Sequence, residues 1–380
     1  MKLLAVTATR ADWGLLAPVL DALRGDARFT PQLLVTGQHL VAGSTTLAAI
    51  TAEGHQPAAL IDMELGADDG PRAISHSMGL LVDKVGKIFA DLAPDAVLLL
   101  GDRYESLAVA LAALVARIPV VHVFGGDVTE GAFDDSIRHA ITKLAALHFV
   151  SNAESAARVR QLGEDPARVH NVGSTGIDRI LAIKTLPRDD FFQAVGLRPR
   201  DKNFVLTFHP ATLVEDPVAE ARALLTALDA FPEAGLIFTG SNADPGAREI
   251  DALIQTFVAG RENAVFFESL GSQRYFSALA HCDLVIGNSS SGIMEAPSFN
   301  LPTINIGDRQ ARRMRAQSVI DCAATPAAIQ EAINRGLALD CSGFRNPYGD
   351  GRAARHIVDT LAKIDTPRSL TRKSFVDLPL

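Results

Sequence analysis

Several short apolar runs in this chain end on residues able to handle protons or phosphate. Arg10 follows KLLAVTAT, Asp102 stands in Gly101-Asp102-Arg103 after DAVLLL, and His209 closes NFVLTFH. A carboxylate at a strand end can act as a general base. A guanidinium there can meet a phosphate with two hydrogen bonds. Each also has a plainer role: Asp102 as the cap of a helix from Tyr104, Arg10 in a surface salt bridge, His209 satisfied in a core. A further cluster, Asp134, Asp135, Arg138 and His139, falls in FDDSIRHAITK. On a helix, Asp134 and Arg138 lie four apart on one face, as do Asp135 and His139. As surface ion pairs they would contribute little.

The stretch LVIGNSSSGIMEAPSF carries Asn288, Ser289, Ser290, Ser291, Gly292 and Glu295. It lacks the G-x-S-x-G of a nucleophile elbow, because Ser291 stands two places after Ser289. Gly287 and Gly292 have P-loop spacing, but Ile293 and Met294 replace the Lys and hydroxyl that such a loop needs. What remains is a strand, a polar loop and a helix start, which can receive an anion through N–H groups and hydroxyls. One serine suffices as a helix cap; three favour an anion site. Glu295, about a turn further, either accepts from sugar hydroxyls or simply complements the helix dipole.

These loops need elements to hold them. Strand-like runs alternate with Ala- and Leu-rich helical stretches almost throughout, the pattern of an α/β protein with parallel sheets. KLLAVTA, PQLLVTG, DAVLLLG, IPVVHVFGG and LHFVS serve the first half; NFVLTF, AGLIFTG, CDLVIGN and LPTINIGD serve the second. The expected architecture is two Rossmann-like domains around a central cleft, with functional loops at the carboxyl ends of the strands. The boundaries expected are 1–180 for the first domain, 200–350 for the second, and 351–380 for a C-terminal helix or tail packing back on the first. The seam is expected between about Gly176 and Asp201, where LPRDDFFQAVGLRPRDKN is richer in charge and proline than its neighbours.

At 380 residues, 48% hydrophobic and 21% charged, the chain can build two sizeable cores. A net charge of −8 disfavours a nucleic-acid partner. No run is long enough for a membrane helix, and MKLLAVTATRADWG does not read as a signal peptide, so a cytoplasmic protein without a membrane partner is expected. Cys282, Cys322 and Cys341 have neither metal-site nor disulfide spacing. VTATRADWG replaces the dinucleotide fingerprint, which disfavours NAD. The expectation is a site with no metal and no cofactor. Carboxylates, arginines, a histidine and an anion cradle suit proton abstraction and phosphate expulsion from a nucleotide-linked substrate.

The chain resembles the hydrolysing UDP-N-acetylglucosamine 2-epimerases of sialic acid synthesis. The resemblance rests on TATRADWG, LLVTGQHL, LGDRYE, GGDVTEGAFDDSIRHAITKLAALHF, FHPAT, FTGSNAD, GNSSSGIMEAPSF and TINIGDRQ, over roughly residues 1–350. It implies the glycosyltransferase-B architecture, with UDP held mainly by the second domain. By that likeness Ser290, Ser291 and Gly292 bind the diphosphate, Glu295 the ribose, and Arg10 approaches the phosphates. Asp102, Asp134, Arg138 and His209 match catalytic or substrate-contacting positions, with Asp102 and Asp134 sharing the acid–base work and His209 and Arg138 stabilising the leaving group.

The implied reaction removes the C2 proton and expels UDP, giving a 2-acetamidoglucal. Hydration then releases N-acetylmannosamine. A homodimer or higher homo-oligomer is implied as well. Many relatives carry Glu where this chain has Phe124, with Asp127 or Glu130 as the nearby acids. An apolar residue there is compatible with a second sugar, UDP-2,4-diacetamido-2,4,6-trideoxyglucose of the legionaminic acid route. A non-hydrolysing epimerase, a glycosyltransferase of the same fold and a non-catalytic nucleotide-sugar sensor are the other classes. Exchange at C2 separates the epimerases from the last two.

Overall fold

In this computed structural model the structure describes residues 1–66, 70–128, 133–210, 216–241, 246–311 and 313–377. The apolar runs of the first half become β1 (Lys2–Thr7), β2 (Thr30–Thr36), β3 (Ala59–Ile61), β4 (Ala96–Leu100), β5 (Val120–Val123), β6 (Leu147–Val150) and β7 (Val169–Asn171). They form one sheet in the order β3-β2-β1-β4-β5-β6-β7, every pair parallel. Those of the second half become β8 (Asn203–Thr207), β9 (Gly235–Thr239), β10 (Ala264–Phe267), β11 (Leu284–Gly287), β12 (Thr303–Ile306) and β13 (Val319–Cys322). Their order is β10-β9-β8-β11-β12-β13, again wholly parallel.

The continuous apolar runs follow from burial of both sheet faces. Alternate residues of β1 and β4 feed different cores: Leu3, Ala5 and Leu98 join Val121 and Phe149, while Leu4, Val6, Val97 and Leu99 join Val120 and Leu81. Each fully buried Leu or Val stabilises by roughly 1.5–3 kcal/mol. Strand order reverses between β1 and β4 in one sheet and between β8 and β11 in the other. Open α/β sheets bind ligands beyond the carboxyl ends of strands at such switch points.

The chain forms two compact units, Met1–Arg179 with the segment from Gly351, and Ile180–Asp350. The change falls inside the helix Thr175–Ala182. The charged stretch after it is part of the second unit. Its helix Arg188–Ala194 turns Phe191 and Phe192 into the interior while Asp189 and Asp190 stay exposed. Ser277 Oγ accepts from the Leu186 N–H at 2.9 Å, and His281 Nε2 donates to Leu186 O at 2.7 Å.

After Gly351 the chain packs on the first unit. Asp178 caps the helix Ala353–Leu361 by accepting from the N–H groups of Ala353 and Ala354 at 3.0 and 2.9 Å. Further on, Lys373 donates to the buried Glu164 carboxylate at 2.8 Å, beside Lys143 at 2.5 Å and His148 at 3.0 Å. Burial alone would raise the Glu164 pKa, but hydrogen bonds from His148, Lys143 and Lys373 outweigh it and hold the group at about 2, below the ordinary 4.5. A depressed carboxyl stabilises the fold above its unfolded pKa and loses that contribution as pH falls through the folded one. Glu164 is therefore expected to contribute of the order of 3 kcal/mol at neutral pH, lost between about pH 4.5 and 2. Urea midpoints of the wild type and Glu164→Gln should converge over that interval; a constant difference would contradict the assignment.

Candidate active site

In the first unit the residues after β4 and β5 meet one helix. Gly101 takes φ +74° and turns the chain at the end of β4. Asp102 follows, a quarter exposed, and its carboxylate pairs with Arg138 of the helix Phe133–Leu144. Arg138 is only 5% exposed, which removes it from the class of solvated surface pairs. Its other partners include Asp135 at 3.3 Å and the carbonyl of Asp127 at 2.7 Å. The expected four-residue pairing with Asp134 is replaced by these. Asp134 lies close enough to Arg103 to act on its charge, and His139 pairs with Asp135 at 3.5 Å as expected. Arg103 itself bonds the fully buried Glu105 at 3.2 Å.

Beneath this loop lies His122, in β5. Its Nε2 is 2.7 Å from the Gly101 carbonyl and its Nδ1 is 3.3 Å from Thr142 Oγ. Complete burial pushes its pKa down to about 3, so the ring is neutral and Nε2–H donates to Gly101. His122 thus fixes the turn that carries Asp102. Phe124 stands next to it in a left-handed backbone (φ +67°), its ring 8% exposed in the core with Trp13 and Phe149. A Cβ on Gly125 would lie 2.8 Å from Thr142 Oγ, and one on Gly126 would lie 2.3 Å from Ser155 O, so neither tolerates a side chain. Asp127 accepts from Ser151 at 3.0 Å and from Ser155. Glu130 lies outside the described residues.

At the end of β1, Thr9 caps the helix Arg10–Arg24 in a reciprocal box with Asp12. Arg10 is its first residue and is exposed. Asp12 also accepts from Thr7 Oγ at 2.8 Å, and Thr7 touches the buried His39 at 3.0 Å.

In the second unit the serines after β11 divide their work. Ser289 is the helix cap, accepting from the Ser291 N–H at 3.4 Å. Ser291 Oγ donates to Glu295 at 2.5 Å and accepts from the Tyr275 hydroxyl at 2.7 Å. Ser290, half-buried, has no side-chain partner among the described residues. The helix they open runs only Ser290–Met294, so its dipole is weaker than a long helix would supply. Gly292 is required by packing, since a Cβ there would sit 2.6 Å from Thr303 Cγ2. Asn288 is 1% exposed and spends its amide on the backbone of His209, accepting from its N–H at 2.7 Å and donating to its carbonyl at 2.8 Å. It anchors the residue two places after β8. Burial raises the Glu295 pKa, an effect that the Ser291 hydrogen bond opposes.

Both sets lie where the topology rule puts ligand sites: Arg10 and Asp102 after β1 and β4, His209 and the serine loop after β8 and β11. No group of His, Cys, Asp and Glu among the described residues could hold a metal ion. The three cysteines are free. No helix of the described residues is long and apolar enough to cross a membrane.

Residues 21–362 match the family model described as UDP-N-acetylglucosamine 2-epimerase. The chain belongs to that family. It is an enzyme of the UDP-sugar 2-epimerase class, as the resemblance implied. It is 39% identical to the GDP/UDP-N,N'-diacetylbacillosamine 2-epimerase (hydrolyzing) of Campylobacter jejuni, with 84% of each chain covered. It is 34% identical to the UDP-N,N'-diacetylbacillosamine 2-epimerase (hydrolyzing) of Legionella pneumophila, with 98% of each covered. Among solved structures, the UDP-GlcNAc 2-epimerase of Neisseria meningitidis bound to UDP-GlcNAc superposes with a TM-score of 0.79 at 20% identity, over 96% of this chain and all of that one. That likeness supports the two-unit α/β fold expected from the sequence.

Neither His122 nor Tyr275 stood out in the sequence. His122 is hidden in an apolar strand and Tyr275 in an ordinary helical stretch. The one available signal was a polar residue inside an otherwise apolar strand.

Proposed function

We propose that this enzyme, a hydrolysing UDP-sugar 2-epimerase, acts on UDP-N,N'-diacetylbacillosamine, the 2,4-diacetamido-2,4,6-trideoxy sugar. The observation that carries the reading is the two relatives of that name, 39% and 34% identical over most of the chain. UDP-N-acetylglucosamine, which the resemblance puts first, is the second reading, favoured by the description of the family model.

In the reaction proposed, the C2 proton and the C1–O bond to UDP are lost together or in close sequence, leaving a 2-acetamidoglucal. Water then adds its oxygen at C1 and C2 is reprotonated on the opposite face, giving UDP and the free 2-epimer. A C2 proton is weakly acidic, so the base must be held tightly and the departing diphosphate stabilised as its charge grows. Asp102 and Asp134 take the proton work. His209, Ser290, Ser291 and Gly292 hold the leaving group, Glu295 the ribose, and Arg10 assists at the phosphates. Arg138, whose guanidinium is engaged with Asp102 and Asp135, serves the leaving group only indirectly and holds Asp102 in place.

Incubation with each UDP-sugar in heavy water tests this. The expected result is free UDP, a free sugar with deuterium at C2, and a kcat/KM at least about tenfold higher for the diacetamido substrate, the discrimination one or two buried contacts provide. A preference for UDP-N-acetylglucosamine would transfer the assignment to the second reading. A sugar still linked to UDP, or one without deuterium, would sink the hydrolytic elimination.

The homodimer is proposed from the resemblance and from one helix. Tyr104–Val115 exposes Leu111, Leu114 and Val115 at 40, 55 and 84%, an apolar stripe at helical spacing. Leu114→Glu is expected to convert a dimer to a monomer in sedimentation; a monomeric wild type would refute the proposal.

A further inference from the structure

Ser291 is bonded on both sides. A serine hydroxyl has one hydrogen to give and two lone pairs to fill. Tyr275, on the helix Gly271–His281, donates to Ser291 Oγ at 2.7 Å, and Ser291 passes its own hydrogen to Glu295 at 2.5 Å. Behind Tyr275, Thr207 lies near enough to act on the phenol, and Thr207 Oγ is 2.6 Å from Thr239 Oγ. These two threonines end β8 and β9 and are 7% exposed each. The hydrogen-bonded chain is thus Tyr275, Ser291 and Glu295, with the threonine pair behind it.

We propose that Tyr275 is a positioning residue for nucleotide recognition: by filling an acceptor site on Ser291 it fixes that serine as a forward donor. In the free enzyme the hydrogen goes to Glu295. With nucleotide bound it goes to a diphosphate oxygen, and Glu295 is released to accept from the ribose hydroxyls. One hydrogen thereby couples recognition of the diphosphate to recognition of the ribose. The inference rests on the reading that the serine loop holds UDP.

Burial, with Glu295 nearby, holds the phenol far above its ordinary range, so Tyr275 keeps its hydrogen at every working pH. Phenylalanine has the same ring and lacks only this donor, which makes Tyr275→Phe the direct test. UDP affinity, measured by titration calorimetry, should fall about tenfold, the effect of one hydrogen bond. Uridine affinity should change by less than about threefold. In a Ser291→Ala background the same Tyr275→Phe change should have no further effect on UDP, because the path runs through Ser291. Thermal melting of each variant separates these losses from a general loss of fold.

Unchanged UDP affinity in Tyr275→Phe would overturn the inference. So would an equal loss with and without Ser291, which marks a purely structural tyrosine. Failure of the wild type to bind UDP would instead overturn the reading of the loop itself, so the two failures are distinguishable.

Discussion

Replacing Asp102 by Asn is expected to lower kcat by about 10²–10⁴-fold, the usual contribution of a general acid–base group, with UDP affinity within about twofold of wild type. The asymmetry follows from the site. Asp102 belongs to the first unit's loop after β4, whereas the serine loop proposed to hold UDP follows β11. Asn keeps the shape and one acceptor for Arg138, so the turn fixed by Gly101 and His122 persists. It cannot take a proton. Asp135 remains beside Arg138 at 3.3 Å, so the buried guanidinium is not left uncompensated. Deuterium incorporation at C2 should fall in parallel with turnover. Retention of activity within about tenfold would remove Asp102 from the proton chemistry. The contrast is Arg138→Ala, which leaves two carboxylates facing each other without their cation. That variant is expected to lose activity together with local order, read as a lower melting temperature.

The reach of the sequence is clearest in these same residues. Asp102, His209 and the serine loop were legible because each follows an apolar run that ends in glycine or phenylalanine, and a strand end is a local property. Arg138 was a candidate in the sequence, but its pairing with Asp102 was not. Helical periodicity sees residues four apart, so it pairs Arg138 with Asp134. The actual partner, Asp102, is 36 residues away and arrives by strand order alone.

Tyr275 is hidden for the same reason: its hydroxyl has meaning only once the helix Gly271–His281 lies beside Ser291. The stretch LPRDDFFQAVGLRPRDKN shows another limit of composition. It is rich in charge, yet one helical face gathers Phe191 and Phe192 inward and leaves the acids outside. Composition averages over both faces and cannot separate them. The serines, read as one hydroxyl-rich cradle, resolve into a cap, a residue without a partner among the described ones, and a relay.

Gly287→Ala is expected to destabilise the second unit by about 3–5 kcal/mol, the range of severe single substitutions. Gly287 has φ +139°, a conformation that L side chains rarely adopt, and an added Cβ would lie 1.9 Å from the carbonyl oxygen of Thr207. The obstacle is backbone, in the neighbouring strand and in register with Gly287, so no rotamer change relieves it. Relief requires β8 and β11 to separate at their carboxyl ends.

That movement would break the Asn288 N–H bond to Thr207 O, now 3.2 Å, and the Asn288 clamp on His209. It would also shift Ser289 and the relay that follows. The molecules that still fold should therefore bind UDP weakly, a loss distinct from simple unfolding. Chemical denaturation gives the first quantity and calorimetry on the folded fraction the second.

Gly79 is the control. It lies in the helix Pro71–Leu92, and a Cβ added there would meet nothing within 4 Å, so Gly79→Ala should leave stability unchanged or raise it by about 0.5–1 kcal/mol. If Gly287→Ala proved as harmless as Gly79→Ala, the close approach of β8 to β11 would not be what holds the serine loop opposite His209 in this unit.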